Sequence, residues 1–410
     1  MYAKFPLIII LSLIFLINPF LCCIISFLLI FQQGLKVEVL LFFIALWFGF
    51  FGYTFIPGKG FDFIRHLEVF NQYKYYSFGQ FLFLLSKQTS VDYIYQFLYF
   101  LFSKLKFNNQ IVGFISAFPF YLFLFLSLKN LVFRFIGVKY QRYCLIILLL
   151  MSFSLTVPWT FSGVRNGTAL MVFFYLLSLK DFKDSSLFYK ILFVIPIFIH
   201  FSLLPFVVIY FISQMLALPK LNKIYWGLVI ISPFTKLIIL NLSLAFTKLG
   251  KFGFLINEKI ESYIMNEVET SIYSGAGFRF FLVIIPLIML GFFLNYRLKN
   301  VMKISNGEGM FLRFFLMFHG FMIFTSTTYI FSRVHLLYIY LISFLIIYSI
   351  YRVRSSLRDV YRLIIIYVLL SIIPSFIMGR EYRVYNSVIF YKSLPGIIET
   401  KVYSSSYWSS

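Results

Sequence analysis

The chain has 410 residues, of which 61% are hydrophobic and only 12% charged, and its mean hydropathy is +0.91. No fold in water buries that much apolar surface in one core, so a soluble globular protein is excluded and an integral membrane protein is expected. Thirty-six Lys and Arg against fourteen Asp and Glu leave a formal charge of +22, but the basic residues are scattered through short loops, a positive-inside pattern facing anionic lipid headgroups and not a nucleic-acid footprint.

Apolar runs close to the roughly 20 residues that cross a bilayer as a helix recur from end to end, whereas barrel strands would be shorter and strictly alternating. The expected architecture is therefore an all-α polytopic membrane protein, a single domain over residues 1 to 410 with about 11 to 12 transmembrane helices. The predicted spans are roughly 5 to 31, 36 to 56, 110 to 128, 143 to 159, 164 to 180, 188 to 216, 224 to 246, 277 to 296, 311 to 331, 334 to 351 and 362 to 379.

The first run, "MYAKFPLIIILSLIFLINPFLCC", has one Lys ahead of its apolar stretch. A cleavable signal is the alternative to a membrane helix, and the equally apolar segments that follow favour the helix. Asn18-Pro19 inside the run leaves the side of the N-terminus open. Cys22, Cys23 and Cys144 all lie in apolar runs and have neither metal-ligand spacing nor a disulfide plan.

After the second span comes "PGKGFDFIRHLEVFNQY", residues 57 to 73. Pro57, Gly58 and Gly60 end the helix, and at helical spacing Asp62, Arg65 and His66 share a face, with Glu68 close by. Such a cluster suits hydrogen bonds to a sugar, or a carboxylate or imidazole tuned as a base; an ordinary solvated loop is the plainer alternative. Residues 93 to 106, "YIYQFLYFLFSKLK", are short for a span and are expected to form an interfacial helix.

Residues 129 to 142 carry four basic and no acidic residues, and residues 351 to 362 carry four Arg against one Asp, so both loops are expected inside. The segments near 57 to 109 and 246 to 276 are expected outside. Asp62, Glu68, Asp92, Glu258, Glu261, Glu267 and Glu269 supply seven of the fourteen acidic residues there.

In mid-chain, "FSGVRNGTALMVFF" places Arg165 and Asn166 between Gly163 and Gly167. The glycines have the small-xxx-small spacing of closely packed membrane helices, and snorkelling explains Arg165 without any function. The preceding Pro158 and Trp159 put that turn on the external side, where a planar guanidinium suits a phosphate. Next, "FYKILFVIPIFIHFSLLPFVVIYFISQML" at 188 to 216 is expected to turn back near His200, between Pro196 and Pro205, because only a broken helix keeps the acidic 246 to 276 segment outside. Arg279 and Arg333 fall at external ends of predicted spans. Arg165, Arg279 and Arg333 beside one external cavity would bind a lipid-linked pyrophosphate by charge-assisted, often bidentate hydrogen bonds.

"GKGFDFIRHLEVF", "SGVRNGTALMVFF", "IHFSLLPFVVIYF" and "SRVHLLYIYLISFLI" resemble the EpsG and Wzy families of oligosaccharide repeat-unit polymerases over roughly residues 36 to 350. The resemblance implies a multi-pass enzyme of the bacterial inner membrane, with a glycosyltransferase C-like bundle, acting on undecaprenyl-pyrophosphate-linked oligosaccharide. It maps the family's loop acid onto Asp62, its arginine onto Arg165 and its histidine onto His200, with weaker matches at Arg333 and Arg279.

The expected reaction transfers an undecaprenyl-pyrophosphate-linked glycan onto a hydroxyl of another lipid-linked repeat. Arg165, Arg279 and Arg333 would hold the pyrophosphate. His200 or Asp62 would act as base, with His66 in reserve, and Arg65, Glu68 and Asn166 would bind sugar. No P-loop, HExxH or zinc pattern is present, and neither cofactor nor metal is expected. The bilayer, a chain-length regulator and a flippase are the other expected partners. The alternatives are a lipid-linked oligosaccharide flippase, disfavoured by one-sided charges and the absence of an internal repeat, and a related membrane glycosyltransferase or ligase with a different acceptor.

Overall fold

The computed structural model describes residues 4–32, 34–55, 62–87, 92–155, 164–179, 187–247, 253, 257, 306–325, 329–352 and 387–402. The predicted spans at 277 to 296 and 362 to 379, and Arg279, lie outside them. Every regular element among the described residues is a helix. The chain divides into two compact units, Met1–Leu179 with Leu192–Ser202 and Ile342–Ser410, and Lys180–Ile191 with Leu203–Leu341.

In the first unit, α1 (Lys4–Ile17) and α2 (Pro19–Leu29) replace the single predicted span at 5 to 31. Pro19 has no amide hydrogen and drives the preceding residue out of the helical region. Asn18 is accordingly extended (φ −155°, ψ 104°) and caps α2 by accepting the Leu21 N–H at 2.9 Å. The chain then doubles back, since the Cys22 thiol reaches the Leu11 carbonyl at 3.3 Å. All three cysteines are free and buried.

α3 (Val37–Tyr53) lies antiparallel to α7 (Ile111–Phe135), and the two glycines Gly52 and Gly113 let their backbones touch. At the other end of the pair, Lys129 bonds to Glu38 at 2.7 Å. α7 continues helical beyond the predicted limit at 128, to Phe135. α8 (Val138–Leu155) follows after a break at Gly137. A Cβ on Gly113 would meet the Gly52 carbonyl, which is backbone and cannot swing aside. Gly113→Ala is therefore expected to destabilise the first unit by about 1–3 kcal/mol, read as a lowered thermal midpoint of the detergent-purified chain.

The first polar segment is helical, with α4 (Asp62–Tyr73), α5 (Phe78–Lys87) and α6 (Tyr93–Lys104). α4 is amphipathic: Phe63, His66, Leu67, Phe70 and Tyr73 are buried, and Arg65 and Glu68 are exposed. Tyr73 donates from its hydroxyl to Gln96 of α6. At the chain's end, α17 (Val388–Tyr391) and α18 (Leu394–Glu399) pack back on the N-terminal helices. Phe390 stands edge-on to Phe20 at 5.0 Å, and the Tyr53 hydroxyl donates to the Ile398 carbonyl at 3.3 Å.

α9 (Val164–Leu179) packs along α7. The segment at 188 to 216, expected to break near His200, is interrupted there, giving α10 (Leu187–Leu192), α11 (Ile195–Ile199), a 3₁₀ turn at Phe201–Leu203 and α12 (Leu204–Met215).

In the second unit, the predicted span at 224 to 246 is also broken. α13 (Leu218–Ile231) and α14 (Thr235–Thr247) flank a 3₁₀ turn at Ser232–Phe234, set by Pro233. α15 (Asn306–Phe324) packs on α12 and α13. Its fully buried His319 lies with Nδ1 2.6 Å from the Tyr338 hydroxyl of α16 (Tyr329–Arg352) and stacks on Tyr225 at 5.7 Å.

By length and composition, Ile111–Phe135 is the one described helix able to cross a membrane unaided; α1, α2, α3, α9 and others are shorter apolar helices. The outer surface of α1 and α2 is nevertheless apolar, with Ile9, Ile10, Leu13, Ile17 and Leu28 all exposed. Exposed apolar residues of this kind mark a surface for contact with lipid or protein.

Candidate active site

The site forms where α6, α9 and the interruption after α11 meet, all within the first unit. Arg165 stands in the first turn of α9, an unfavourable place for a cation because the helix dipole is positive there. Asp92 offsets it: Asp92 Oδ2 lies 2.7 Å from Arg165 Nη1, and the two side chains are only 7% and 15% exposed. Asp92 occupies the N-cap position of α6, yet its side chain makes no capping bond. An Asp there ordinarily accepts an N–H of its own helix. Here its second oxygen, Oδ1, accepts the backbone N–H of Phe201 at 3.2 Å instead.

One turn further along each helix, the Tyr95 hydroxyl meets Thr168 Oγ1 at 2.8 Å. Asp92 with Arg165, and Tyr95 with Thr168, thus form two rungs that set the register of α6 against α9. Burial pushes the Tyr95 phenol above its ordinary pKa, so this rung carries no charge.

His200 ends α11 in an extended conformation (φ −155°, ψ 122°), and its Nδ1 lies 2.7 Å from the Ser202 hydroxyl. Ser202 in turn donates to Asn166 Oδ1 at 2.8 Å. Ser202 thus bridges the imidazole to α9. The Ser202 backbone N–H also donates to Nδ1, at 3.2 Å. Two neighbours on α9, Arg165 and Asn166, thereby hold three neighbours in the interrupted segment, Arg165 through Asp92 to Phe201 and Asn166 through Ser202 to His200.

The first turn of α9 is also a favourable place for an anion, since the helix dipole is positive there. Arg165 Nε is buried and has no hydrogen-bond partner. Among the described residues, no group of three His, Cys, Asp or Glu could hold a metal ion.

The predicted site residues are distributed as follows. Arg165, Asn166 and His200 come together. His66 is buried on α4 with its ring edge-on to Tyr99 at 5.7 Å, while Arg65 and Glu68 face outward on the same helix. Asp62 is the first residue of α4, and Arg333 lies on α16. Asp92, Ser202, Tyr95 and Thr168 were not among the sequence candidates. Asp92 looks like an ordinary cap before "YIYQF", and Ser202 looks like a small residue in an apolar run; only the contact with α9 distinguishes them.

Comparison with curated proteins and with solved structures gives no match. The EpsG family model, by contrast, matches residues 36–393, most of the chain and every residue of the cluster just described, so the chain belongs to the EpsG family.

Proposed function

We propose that the chain is a multi-pass inner-membrane polymerase that lengthens a glycan by joining undecaprenyl-pyrophosphate-linked repeats outside the cytoplasm. Membership of the EpsG family supports a polysaccharide polymerase in a membrane, and the apolar outer surface of α1 and α2 fits a lipid surround. The observation that carries the reading is that Arg165 and Asn166, neighbours on one helix, are linked through Asp92 and Ser202 to the segment that holds His200, 35 positions beyond Arg165.

In the proposed step, a hydroxyl of one lipid-linked repeat attacks the anomeric carbon of another. The bond from that carbon to the phosphate oxygen breaks, and undecaprenyl pyrophosphate leaves with the electron pair. Negative charge grows on the leaving group, so a fixed guanidinium favours the transition state over the ground state. Arg165 is the principal cation; Arg279 and Arg333 are the other cations proposed for the pyrophosphate. His200 takes the proton of the attacking hydroxyl; Asp62 is the alternative base and His66 the reserve. Arg65, Glu68 and Asn166 are the proposed partners of sugar hydroxyls. The donor is already activated, so the step asks for no nucleotide sugar.

Cells deleted for this gene should accumulate single lipid-linked repeats on the outer face of the membrane, and the wild-type chain should restore long polymer. Restored export of repeats without lengthening would overturn the reading in favour of a flippase.

A further inference from the structure

Asp92 belongs to neither of the chemical roles above, yet it touches the elements that carry both. Its Oδ2 holds Arg165 Nη1 at 2.7 Å, and its Oδ1 accepts the N–H of Phe201, the residue after His200, at 3.2 Å. The carboxylate is buried, and it forgoes the capping bond that its place at the start of α6 would offer. We infer that Asp92 is a positioning residue: one carboxylate sets the distance between the guanidinium that binds the leaving pyrophosphate and the imidazole that takes the hydroxyl proton. This inference rests on the polymerase reading.

The chemistry of the two contacts makes the assignment specific. Both partners are donors, so the joining group must accept on two atoms at once. A carboxylate does so and a carboxamide does not, because its nitrogen would face one of the donors. Asp92→Asn therefore keeps the size of the side chain and breaks the link at one end. Asp92→Glu keeps both acceptors on a stem one methylene longer. The arrangement also relates binding to catalysis: an incoming diphosphate shares Arg165 with Asp92, while Asp92 keeps its hold on the His200 segment.

The test uses the full chain in nanodiscs, with lipid-linked repeat extracted from cells lacking this gene as substrate and undecaprenyl pyrophosphate as binding probe. Asp92→Asn should lower kcat for elongation about 100-fold, the scale of a misplacement of about 1 Å, with donor KM and undecaprenyl pyrophosphate affinity close to wild type and a lowered thermal midpoint, because Arg165 loses its buried partner. Asp92→Glu should recover to within about tenfold of wild type. An Asp92→Asn chain that elongates at the wild-type rate would overturn the proposal. So would one in which kcat and lipid affinity fall together and Asp92→Glu recovers neither, because that is the signature of a purely structural carboxylate. Arg165→Ala is the control: loss of undecaprenyl pyrophosphate binding there alongside unaltered Asp92→Asn turnover sinks the Asp92 role alone, whereas retained binding sinks the polymerase reading and the proposal with it.

Discussion

Arg165→Ala is expected to slow elongation about 100- to 1000-fold, the loss that follows removal of one donor to a developing oxyanion. The effect should fall on kcat more than on donor KM, because the charge that Arg165 meets is largest when the glycosidic oxygen carries the departing electron pair. Arg165→Lys should recover only part of the rate. A lysine keeps the charge but presents no planar fork, and so cannot hold Asp92 at 2.7 Å while pairing bidentately with a diphosphate. The alanine variant also strands the Asp92 carboxylate, and removing one partner of a buried ion pair costs about 3–5 kcal/mol. Combining Arg165→Ala with Asp92→Asn separates the two losses. The second change should return much of the thermal stability and none of the elongation.

His200→Gln is expected to reduce kcat by about 100- to 10,000-fold, the contribution of a positioned general base. Glutamine has a similar reach and can still bond to Ser202, so the fold should survive and the loss should report proton transfer. In the wild-type chain the rate should fall on the acid side as the imidazole takes up a proton and its lone pair is lost. That acid limb should be missing from the residual activity of His200→Gln. Initial rates over a pH series, compared between the two chains, check both points. Should the variant keep the wild-type acid limb, the base lies elsewhere, and Asp62 is the next residue to replace.

The interruption at His200 was legible in the sequence because prolines flank an imidazole in an otherwise apolar run, and an unbroken helix there conflicts with the charge of the following loops. Arg165 stood out for the cost of placing a permanent charge in such a run. The α3 and α9 boundaries fall within a few residues of the expected spans. The breaks at Asn18 and Ser232–Phe234 were readable from Asn-Pro and Ser-Pro, and the long apolar runs around them outweighed the signal. A proline one residue beyond a short polar side chain interrupts an apolar segment as firmly as a charged loop does.

The partners of Arg165 and His200 were a different matter. His66 was expected to share a face with Arg65, but the spacing of Phe63, Leu67 and Phe70 defines the buried stripe of α4, and His66 falls on it. Asp92 and Tyr95 are three apart, as are Arg165 and Thr168, and this matched spacing is the one sequence signal for the α6 to α9 rungs. It becomes informative only when the two helices are known to be neighbours. Local pattern gives the face of a helix and its ends; it does not give the helix that the face will meet.

The most direct test supplies the purified chain in nanodiscs with nothing but lipid-pyrophosphate-linked repeat and follows both products. The account predicts a ladder of longer glycans, one undecaprenyl pyrophosphate released for each linkage made, and no ladder from Arg165→Ala. Repeat recovered unextended, or a ladder that Arg165→Ala leaves unchanged, would contradict it.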